Sequence, residues 1–376
     1  MSRYLDLQAL VQMIGPRFAE GAAERDAGDV FVAEHYEVLK QHKVFSALIP
    51  AELGGSAVGY GAICDFLRRL AHYSAATALA VSMHQHLVAA AVYNHRNGRP
   101  GRKLLERVGA SEAVLISTGA NDWIESNGTA ERVDGGYRIS ARKPFGSGSP
   151  KGELLVTSAR FDDPKEGPQV LHFAVPFAAS GVSLANDWRA LGMRSTGSHT
   201  VVLDKAFVPD DAIALRRPRG KFHPAWNVIL TVAIPLIMSV YAGVAEAAAT
   251  IGGDLAKKRR GDPTVPLLLG ELTNEVTAVQ LAVDDMVRLA NDLSFTASLD
   301  LTNAILVRKT IAAAGVLATV EKSLEAAGGA GFYRPAILER LVRDAHGAQF
   351  HPLSAKRQHT FTGRVALGLD PIADAA

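Results

Sequence analysis

Residues 328–352, GGAGFYRPAILERLVRDAHGAQFHP, are the stretch of the chain that decides the predicted fold. Three glycines open the stretch, so its backbone can approach a ring or a phosphate group closely. A helix is predicted to begin at Pro335, because proline suits the first helical turn and apolar residues follow at helical spacing. Beyond this helix the chain passes through His351 to Pro352. The stretch therefore predicts a glycine-rich binding loop, a helix, and a short segment that carries a histidine.

A Gly-Gly-x-Gly-Phe loop followed by an Arg-Asp-Ala helix resembles the C-terminal domain of the acyl-CoA dehydrogenase superfamily of flavoproteins. The resemblance implies that Gly328 and Gly329 approach the cofactor. It also implies a catalytic base after the helix, where medium-chain dehydrogenases carry a Tyr-Glu pair. The corresponding residues here are His351 and Pro352, and a proline cannot accept a proton. The commonest base position of the dehydrogenases is therefore empty in this chain.

Composition narrows the class of protein. The chain has 376 residues, 48% of them hydrophobic, which is enough for one large unit or two to three domains. Forty basic and 38 acidic residues nearly balance, which argues against a nucleic-acid-binding protein. The single cysteine, Cys64, excludes an intramolecular disulfide and a cysteine-rich metal site. The N-terminus lacks a signal-peptide pattern, and the apolar stretch 228–251 contains Pro235 and Glu246, which favours a buried helix over a membrane span. We expect a cytoplasmic protein that binds neither membrane nor metal.

The hydrophobic pattern divides the chain into three regions. Helical spacing predicts an N-terminal helical domain over residues 1–113, with helices at 61–73 and 75–94. Short alternating runs between turn signals predict an antiparallel β-domain over 114–222. The helical pattern returns over 223–376 and predicts a C-terminal four-helix bundle of segments 228–258, 267–293, 300–328 and 335–349. The predicted fold class is α+β, and the resemblance implies the same helical–β–helical order.

One segment of the β-region resembles a flavin-contacting loop of the superfamily. Residues 116–122, ISTGAND, stand where dehydrogenases have a longer loop with a Glu-Pro pair. The pair is missing here, although Ser117 and Thr118 keep their hydroxyl groups and Asp122 keeps its acid. The resemblance implies that Ser117 and Thr118 contact the flavin, and an ordinary turn at a strand end is the alternative.

A second segment, residues 141–150 with the sequence ARKPFGSGSP, is similar to the aromatic–hydroxyl segment that flanks the flavin ring in dehydrogenases. It also resembles the [Arg/Lys]-x-x-Phe-x-Ser-Gly pattern of the superfamily's monooxygenases. By position, Phe145 is the aromatic residue, Ser147 supplies the hydroxyl, and Gly148 permits close approach. An aromatic face packs a ring system and a hydroxyl bonds its edge, so the three residues are candidate flavin contacts.

Residues 188–210 are the closest match to the superfamily, but dehydrogenases and monooxygenases share this block. Further on, Arg259 matches an arginine that contacts the cofactor phosphates of a neighbouring subunit. The resemblance therefore implies a homotetramer or homodimer, with FAD favoured over FMN as the flavin. The Phe-Gly pair that usually follows is replaced by Gly261 and Asp262, which leaves the choice between the two flavins open.

A second group of dehydrogenases keeps its base on the helix predicted at 228–258. The corresponding position here lies near Ala233. No carboxylate occurs between Lys221 and Glu246, and Glu246 would lie roughly 20 Å further along the helix. Both base positions of the dehydrogenases are therefore without an acid.

The histidine after the Arg-Asp helix, with a later Gly-Arg-x-x-Leu-Gly sequence, resembles the flavin-dependent monooxygenase branch. That branch includes the two-component phenol hydroxylases and the dibenzothiophene monooxygenase. The resemblance implies that His351 is catalytic, that Ser354 contacts flavin, and that His84 or His86 touches substrate. A histidine suits proton exchange at neutral pH, whereas desaturation of a thioester suits a carboxylate base.

These observations favour a monooxygenase that uses reduced flavin and O2 on a small organic substrate. The redox partner would be a flavin reductase or an electron-transfer flavoprotein. An acyl-CoA dehydrogenase with a non-standard base is the alternative, with His351 as that base or as a bystander. A non-catalytic scaffold of the same fold is the second alternative.

Overall fold

Five helices form the N-terminal part of the chain in the computed structural model, which describes residues 5–119 and 125–372. The first helix begins after Asp6, whose carboxylate accepts hydrogen bonds from two backbone N–H groups of the first turn. Its apolar face is buried, as the helical spacing of its leucines and isoleucine predicts. The helices are α1 Leu7–Ala19, α2 Ala22–Ala27, α3 Ala33–Gln41, α4 Tyr60–Arg96 and α5 Arg102–Ser111.

Helix α4 folds back on itself at Ser74, where the backbone leaves helical geometry (φ −149°, ψ 89°). A straight helix of 37 residues would be about 55 Å long, yet both ends of α4 contact Asp292. The Tyr60 amide donates to Asp292 Oδ1 at 2.6 Å, and Arg96 Nη1 donates to the Asp292 carbonyl at 2.8 Å. The two helices predicted at 61–73 and 75–94 are therefore confirmed, with the break between them at Ser74.

The middle of the chain forms an eight-stranded sheet in the order β6-β7-β3-β2-β4-β5-β8, with β1 paired to β4. Most pairs are antiparallel, but β1 and β2 both run parallel to β4, so the sheet is mixed rather than purely antiparallel as predicted. A parallel pair needs a long crossover, and the chain between β1 and β4, including the β2–β3 hairpin, provides it. The strands are β1 Leu115–Ser117, β2 Thr129–Val133, β3 Gly136–Gly146, β4 Leu154–Asp163, β5 Gly167–Pro176, β6 Val182–Leu184, β7 His199–Pro209 and β8 Ile213–Pro218.

Three long helices and two short ones complete the fold. Helix α6 is the centre of the core, because nearly all of it is buried between α4, α7 and α8. It continues through Pro235, which cannot donate a backbone hydrogen bond, and Tyr60 Oη donates to the carbonyl of Val232 in the preceding turn at 2.7 Å. The helices are α6 Ala225–Lys257, α7 Val265–Ala290, α8 Leu299–Ala327, α9 Leu338–Ala345 and α10 Ala355–Ala366.

The fourth helix of the bundle differs from its prediction at 335–349. Ile337 adopts a left-handed conformation (φ 67°), which an α-helix cannot contain, so α9 begins only at Leu338. A 3-10 turn, His346–Gln349, follows α9 and delivers the chain to His351. The segment is therefore three short helical pieces rather than one helix: a 3-10 turn at Arg334–Ala336, then α9, then the 3-10 turn at His346–Gln349.

Three segments are long and apolar enough to cross a membrane by length and composition: α4, α6 and Leu299–Phe332. The most apolar window of α6 is 94% buried inside the protein, and that of α4 is 89% buried. The prediction that residues 228–251 form a buried helix is therefore confirmed. The window of Leu299–Phe332 is 44% buried.

Candidate active site

His351 is held by a tyrosine that the sequence patterns did not single out. Its Nε2 atom lies 2.8 Å from the Oη atom of Tyr241, a fully buried residue of α6. The turn after α9 passes directly over this hydroxyl, because a Cβ atom at Gly347 would overlap Tyr241 Oη. Tyr241 is the single tyrosine of α6, and a buried phenol requires a polar partner, so the sequence held a signal for this contact.

The environment keeps the His351 imidazole neutral. Burial, then the positive charge of Lys309 and then His86, lower the pKa of His351 to about 3. Burial also raises the pKa of Tyr241 well above its usual value, so the phenol keeps its proton. Within the described residues His351 Nε2 is the hydrogen-bond partner of that phenol, which therefore donates to Nε2. The proton of the imidazole then sits on Nδ1, which is left as a donor for a bound ligand.

The two histidines of α4 that were predicted to touch substrate, His84 and His86, have different surroundings. His84 is fully buried; its Nε2 atom donates to the Phe45 carbonyl at 2.9 Å, and its Nδ1 atom accepts from the Leu115 amide at 3.0 Å. Both nitrogens thus join α4 to its neighbours, which favours a structural role for His84, and its contact with substrate stays a prediction. His86 lies close enough to His351 to affect its pKa, and burial lowers the pKa of His86 itself to about 4.

Phe145 is an exposed aromatic residue with a strained backbone conformation. Its side chain is 57% exposed, and its backbone is left-handed (φ 62°), which is strained for a residue with a Cβ atom. The ring meets that of Trp188 edge-on, at 6.0 Å between centroids. The exposed face of Phe145 could pack against the isoalloxazine of a flavin, and this contact stays a prediction.

The hydroxyl residues predicted on β1 lie beside Phe145. The Gly119 amide donates to the carbonyl of Pro144 at 3.2 Å, which brings the end of β1 against the end of β3. Ser117 is buried, and Thr118 Oγ1 lies 2.8 Å from Thr157 Oγ1. Asp122, part of the same predicted loop, lies outside the described residues.

Ser147 and Gly148 are both fixed by other parts of the protein. Ser147 Oγ lies 2.8 Å from Ser198 Oγ, within the block at 188–210 that matches the superfamily. Gly148 has a positive φ of 78°, and a Cβ atom there would overlap the hydroxyl of Tyr36. The close approach that requires a glycine at 148 is therefore to Tyr36, and the contact of Gly148 with flavin stays a prediction.

Arg259 and the glycine loop form a second group away from His351. Arg259 Nη2 donates to the Ala326 carbonyl at 2.6 Å, and a Cβ atom at Gly328 would lie 3.1 Å from the guanidinium carbon. Tyr241 and the end of α6, where this group begins, are about 24 Å apart along the helix. Gly329 is open, because a Cβ atom there would meet no atom of the described residues within 4 Å. The predicted flavin residues of one chain thus divide into two separated groups.

The carboxylate of Glu246, on α6, cannot replace the missing base. Glu246 accepts hydrogen bonds from Arg68, from His72 at 3.1 Å and from Gln280 at 2.7 Å. Burial opposes ionisation, but the bonds from His72, Arg68 and Gln280 lower the pKa of Glu246 to about 2. Its oxygens are committed to holding α4, α6 and α7 together, and Ala233, the expected base position, is buried.

Ser354 is three residues beyond His351 and stands at the start of α10, where its side chain forms no capping hydrogen bond.

A cavity of about 230 Å³ lies elsewhere, near the bend of α4. None of the residues predicted to contact flavin or substrate lines this cavity. Its lining includes Ser74, Arg194, Arg340 and Asp344.

Comparison with known proteins identifies the class of protein that this fold and site define. The family model "Acyl-CoA dehydrogenase, N-terminal domain" matches residues 8–112, and "Acyl-CoA dehydrogenase, C-terminal domain" matches residues 236–355. Together they match more than half of the chain. The chain belongs to the acyl-CoA dehydrogenase superfamily, and it is a flavin-dependent oxidoreductase.

Among individual proteins, the amino sugar nitrososynthase DnmZ of Streptomyces peucetius is 27% identical, over 97% of this chain and 93% of DnmZ. The structure of KijD3 in complex with FMN and a dTDP-amino sugar superposes with a TM-score of 0.88, at 26% identity over 98% of this chain and 94% of that one. XiaF from Streptomyces sp. in complex with FADH2 superposes with a TM-score of 0.81, at 25% identity over 98% and 96% of the two chains. Flavin-dependent oxidation of a small substrate is therefore shared by these relatives and this chain.

Proposed function

We propose that the protein is a monooxygenase that uses reduced flavin and O2 to oxidise a small organic substrate. The observation that carries the proposal is the neutral His351–Tyr241 pair, next to Pro352 at the position where medium-chain dehydrogenases carry a glutamate. Abstraction of an α-proton from a thioester needs a base, and an imidazole with a pKa of about 3 is a weak one. Its Nδ1–H group is instead a hydrogen-bond donor that needs no change of charge.

The reaction balances without another redox group in the chain. Bound reduced flavin supplies two electrons, the substrate supplies two, one oxygen atom of O2 enters the substrate, and the other leaves as water. His351 would orient the reacting oxygen through Nδ1–H, with Tyr241 fixing the ring from the opposite nitrogen. Phe145 and the hydroxyls of Ser117 and Thr118 would hold the flavin ring system. We propose a flavin reductase as the partner that supplies the reduced flavin.

We propose that the oxidised atom is the nitrogen of an amine. The support is that the amino sugar nitrososynthase DnmZ aligns over more than nine-tenths of this chain, and that the similar structure of KijD3 holds an amino sugar nucleotide. A neutral imidazole suits this substrate class, because it can hydrogen-bond an amine without the repulsion that a protonated histidine would exert on an ammonium group.

We infer that the flavin is FAD, bound in a homodimer or homotetramer. The support is the guanidinium of Arg259 against the Gly328 loop, about 24 Å from Tyr241 along α6. A flavin with an adenosine half can meet such a group on a neighbouring subunit, and FMN has no such half. Reduced FAD should therefore bind more tightly than reduced FMN, and Arg259→Ala should remove the difference. Equal affinity of the natural chain for both flavins would contradict this inference.

Rapid mixing of the anaerobically photoreduced flavoprotein with oxygenated buffer tests the proposed reaction. We expect an absorbance transient that belongs to neither reduced nor oxidised flavin, before the oxidised spectrum returns. His351→Gln should bind flavin as the natural chain does but shorten the life of this transient. Return to the oxidised spectrum in one phase, together with bleaching of the oxidised flavin by an acyl-CoA, would identify a dehydrogenase instead. A folded protein that binds neither flavin would support the scaffold alternative.

A further inference from the structure

Lys309 is a buried cation that none of the sequence patterns explained. It lies on α8 with 1% of its surface exposed, at helical spacing with the buried residues Ile305, Ala312 and Val316. Its Nζ atom donates to the carbonyl of Leu353 at 2.8 Å. Over residues 5–119 and 125–372, no carboxylate forms an ion pair with it. An apolar residue would fill this place without the cost of burying a charge, so the ammonium group requires a reason.

The position of Leu353 suggests what the ammonium group does. Leu353 is two residues beyond His351, in the short segment that joins the turn after α9 to α10. A hydrogen bond to its carbonyl fixes the backbone of that segment from the α8 side. Tyr241 fixes the imidazole from the α6 side, at 2.8 Å. His351 is thus held between two buried groups that come from different helices.

Lys309 is also the source of positive charge in this neighbourhood. Three elements bring titratable groups towards His351: α4 brings His86, α6 brings Tyr241, and α8 brings Lys309. His86 and Tyr241 are both uncharged at neutral pH, because burial lowers the pKa of the first and raises that of the second. Burial lowers the pKa of Lys309 to about 8, so the ammonium form still predominates at neutral pH. Its charge opposes a second positive charge on the imidazole.

We propose that Lys309 is a positioning residue for His351, which anchors the following backbone through Leu353 and keeps the imidazole neutral by its charge. The proposal rests on the proposed function only in assigning His351 to the reaction. The geometry and the charge of the Lys309 site are independent of which oxidation the protein performs.

The test follows His351 by NMR in protein with isotope-labelled histidine, and the His351→Gln variant identifies the resonance. In the natural chain we expect the His351 signal to shift with an inflection near pH 8, as Lys309 loses its proton. Lys309→Met should abolish this inflection and let His351 begin to take up a proton at a higher pH. Lys309→Arg should also lack the inflection, while its permanent charge keeps His351 neutral. Lys322→Met, which removes a partly exposed, ion-paired lysine of the same helix, is the matched control and should leave the signal unchanged.

A natural chain without the inflection, or a folded Lys309→Met variant whose His351 titrates as before, would overturn the proposal. A purely structural lysine would lower the stability of the variants without moving the His351 titration. The measurement on the natural chain decides the question even if Lys309→Met does not fold. Failure of the proposed oxidation would appear separately, as the absence of the oxygen-dependent transient while the NMR results stand.

Discussion

At the scale of single residues, the chemistry of the site depends on the loss of a carboxylate at Pro352 and on the neutral imidazole beside it. A glutamate at position 352 would be an anion that can accept a proton, whereas the neighbouring His351 is fixed as a donor by the phenol of Tyr241. His351 was identifiable from its place after the Arg-Asp helix. Tyr241 was not, because it is 110 residues away in sequence and nothing local connects the two.

Tyr241→Phe tests this pair. The variant should bind flavin normally but turn over about tenfold more slowly, since it loses one hydrogen bond worth about 1.4 kcal/mol in orienting His351. Its free energy of unfolding should fall by about 1 kcal/mol. Tyr93→Phe removes a comparable hydrogen bond, from Tyr93 Oη to the Phe295 carbonyl at 3.2 Å, and is the control. It should lose similar stability and no turnover; equal turnover in both variants would contradict the role of Tyr241.

At the scale of elements, the close contact between α3 and the residues after β3 fixes the turn at 146–148, which is predicted to face the flavin. Gly148 packs on the hydroxyl of Tyr36, an oxygen that is buried and has no hydrogen-bond partner among the described residues. Such a hydroxyl contributes little, because its hydrogen bond with water is lost and not replaced. The contact nevertheless sets the distance between helix and strand, and through it the position of Ser147 and Phe145.

Gly148→Ala should destabilise the protein by about 1–3 kcal/mol, because the new methyl group meets Tyr36 Oη and the backbone is left-handed. Tyr36→Phe alone should be neutral or slightly stabilising, since it removes an unpaired buried hydroxyl. Combined with Gly148→Ala it should restore part of the lost stability, and the strain of the left-handed backbone should remain. Chemical denaturation of the three variants measures this coupling. Strict additivity of the two changes would show that the hydroxyl is not what Gly148 accommodates.

At the scale of the whole molecule, buried neutral histidines make stability depend on pH. Among the described residues, five histidines have pKa values lowered from 6.5 to about 4 or below, mainly by burial: His35, His84, His86, His172 and His351. At pH values between about 4 and 6.5, the unfolded chain binds protons that the folded chain does not, so acid favours unfolding. Asp344 acts in the opposite direction over part of this range, because burial raises its pKa to about 6 and the folded state holds its proton.

The free energy of unfolding should therefore be constant near neutral pH and fall as the pH drops from about 6.5 towards 4. Each histidine contributes a slope of up to about 1.4 kcal/mol per pH unit. His351→Gln should reduce the slope by the contribution of one histidine. His359→Gln, at an exposed position of α10, should leave the slope unchanged. Denaturation curves at a series of pH values provide the measurement. A slope that His351→Gln does not alter would mean that His351 already binds a proton in the folded state.

The sequence by itself determined the order of helices and strands, the superfamily, and the absence of a carboxylate at both base positions. These properties depend on local periodicity and on short motifs of fixed spacing, which can be read from the sequence without the tertiary structure. The sequence also placed Phe145 and the end of β1 as candidate flavin contacts. The same local patterns could not show that His84 bonds to Phe45 and Leu115 or that Gly148 packs on Tyr36, because burial and partner identity are not local properties.

Only the tertiary structure decided which side chains surround His351. His86, Tyr241 and Lys309 come from α4, α6 and α8, and they meet because the buried faces of these helices pack around one core. A lysine or tyrosine on an apolar helix face is visible in the sequence as an exception to the pattern. Its partner is not, since a hydrogen bond between distant helices depends on how the helices pack. The neutral state of His351, and with it the chemistry that we propose, follows from that packing.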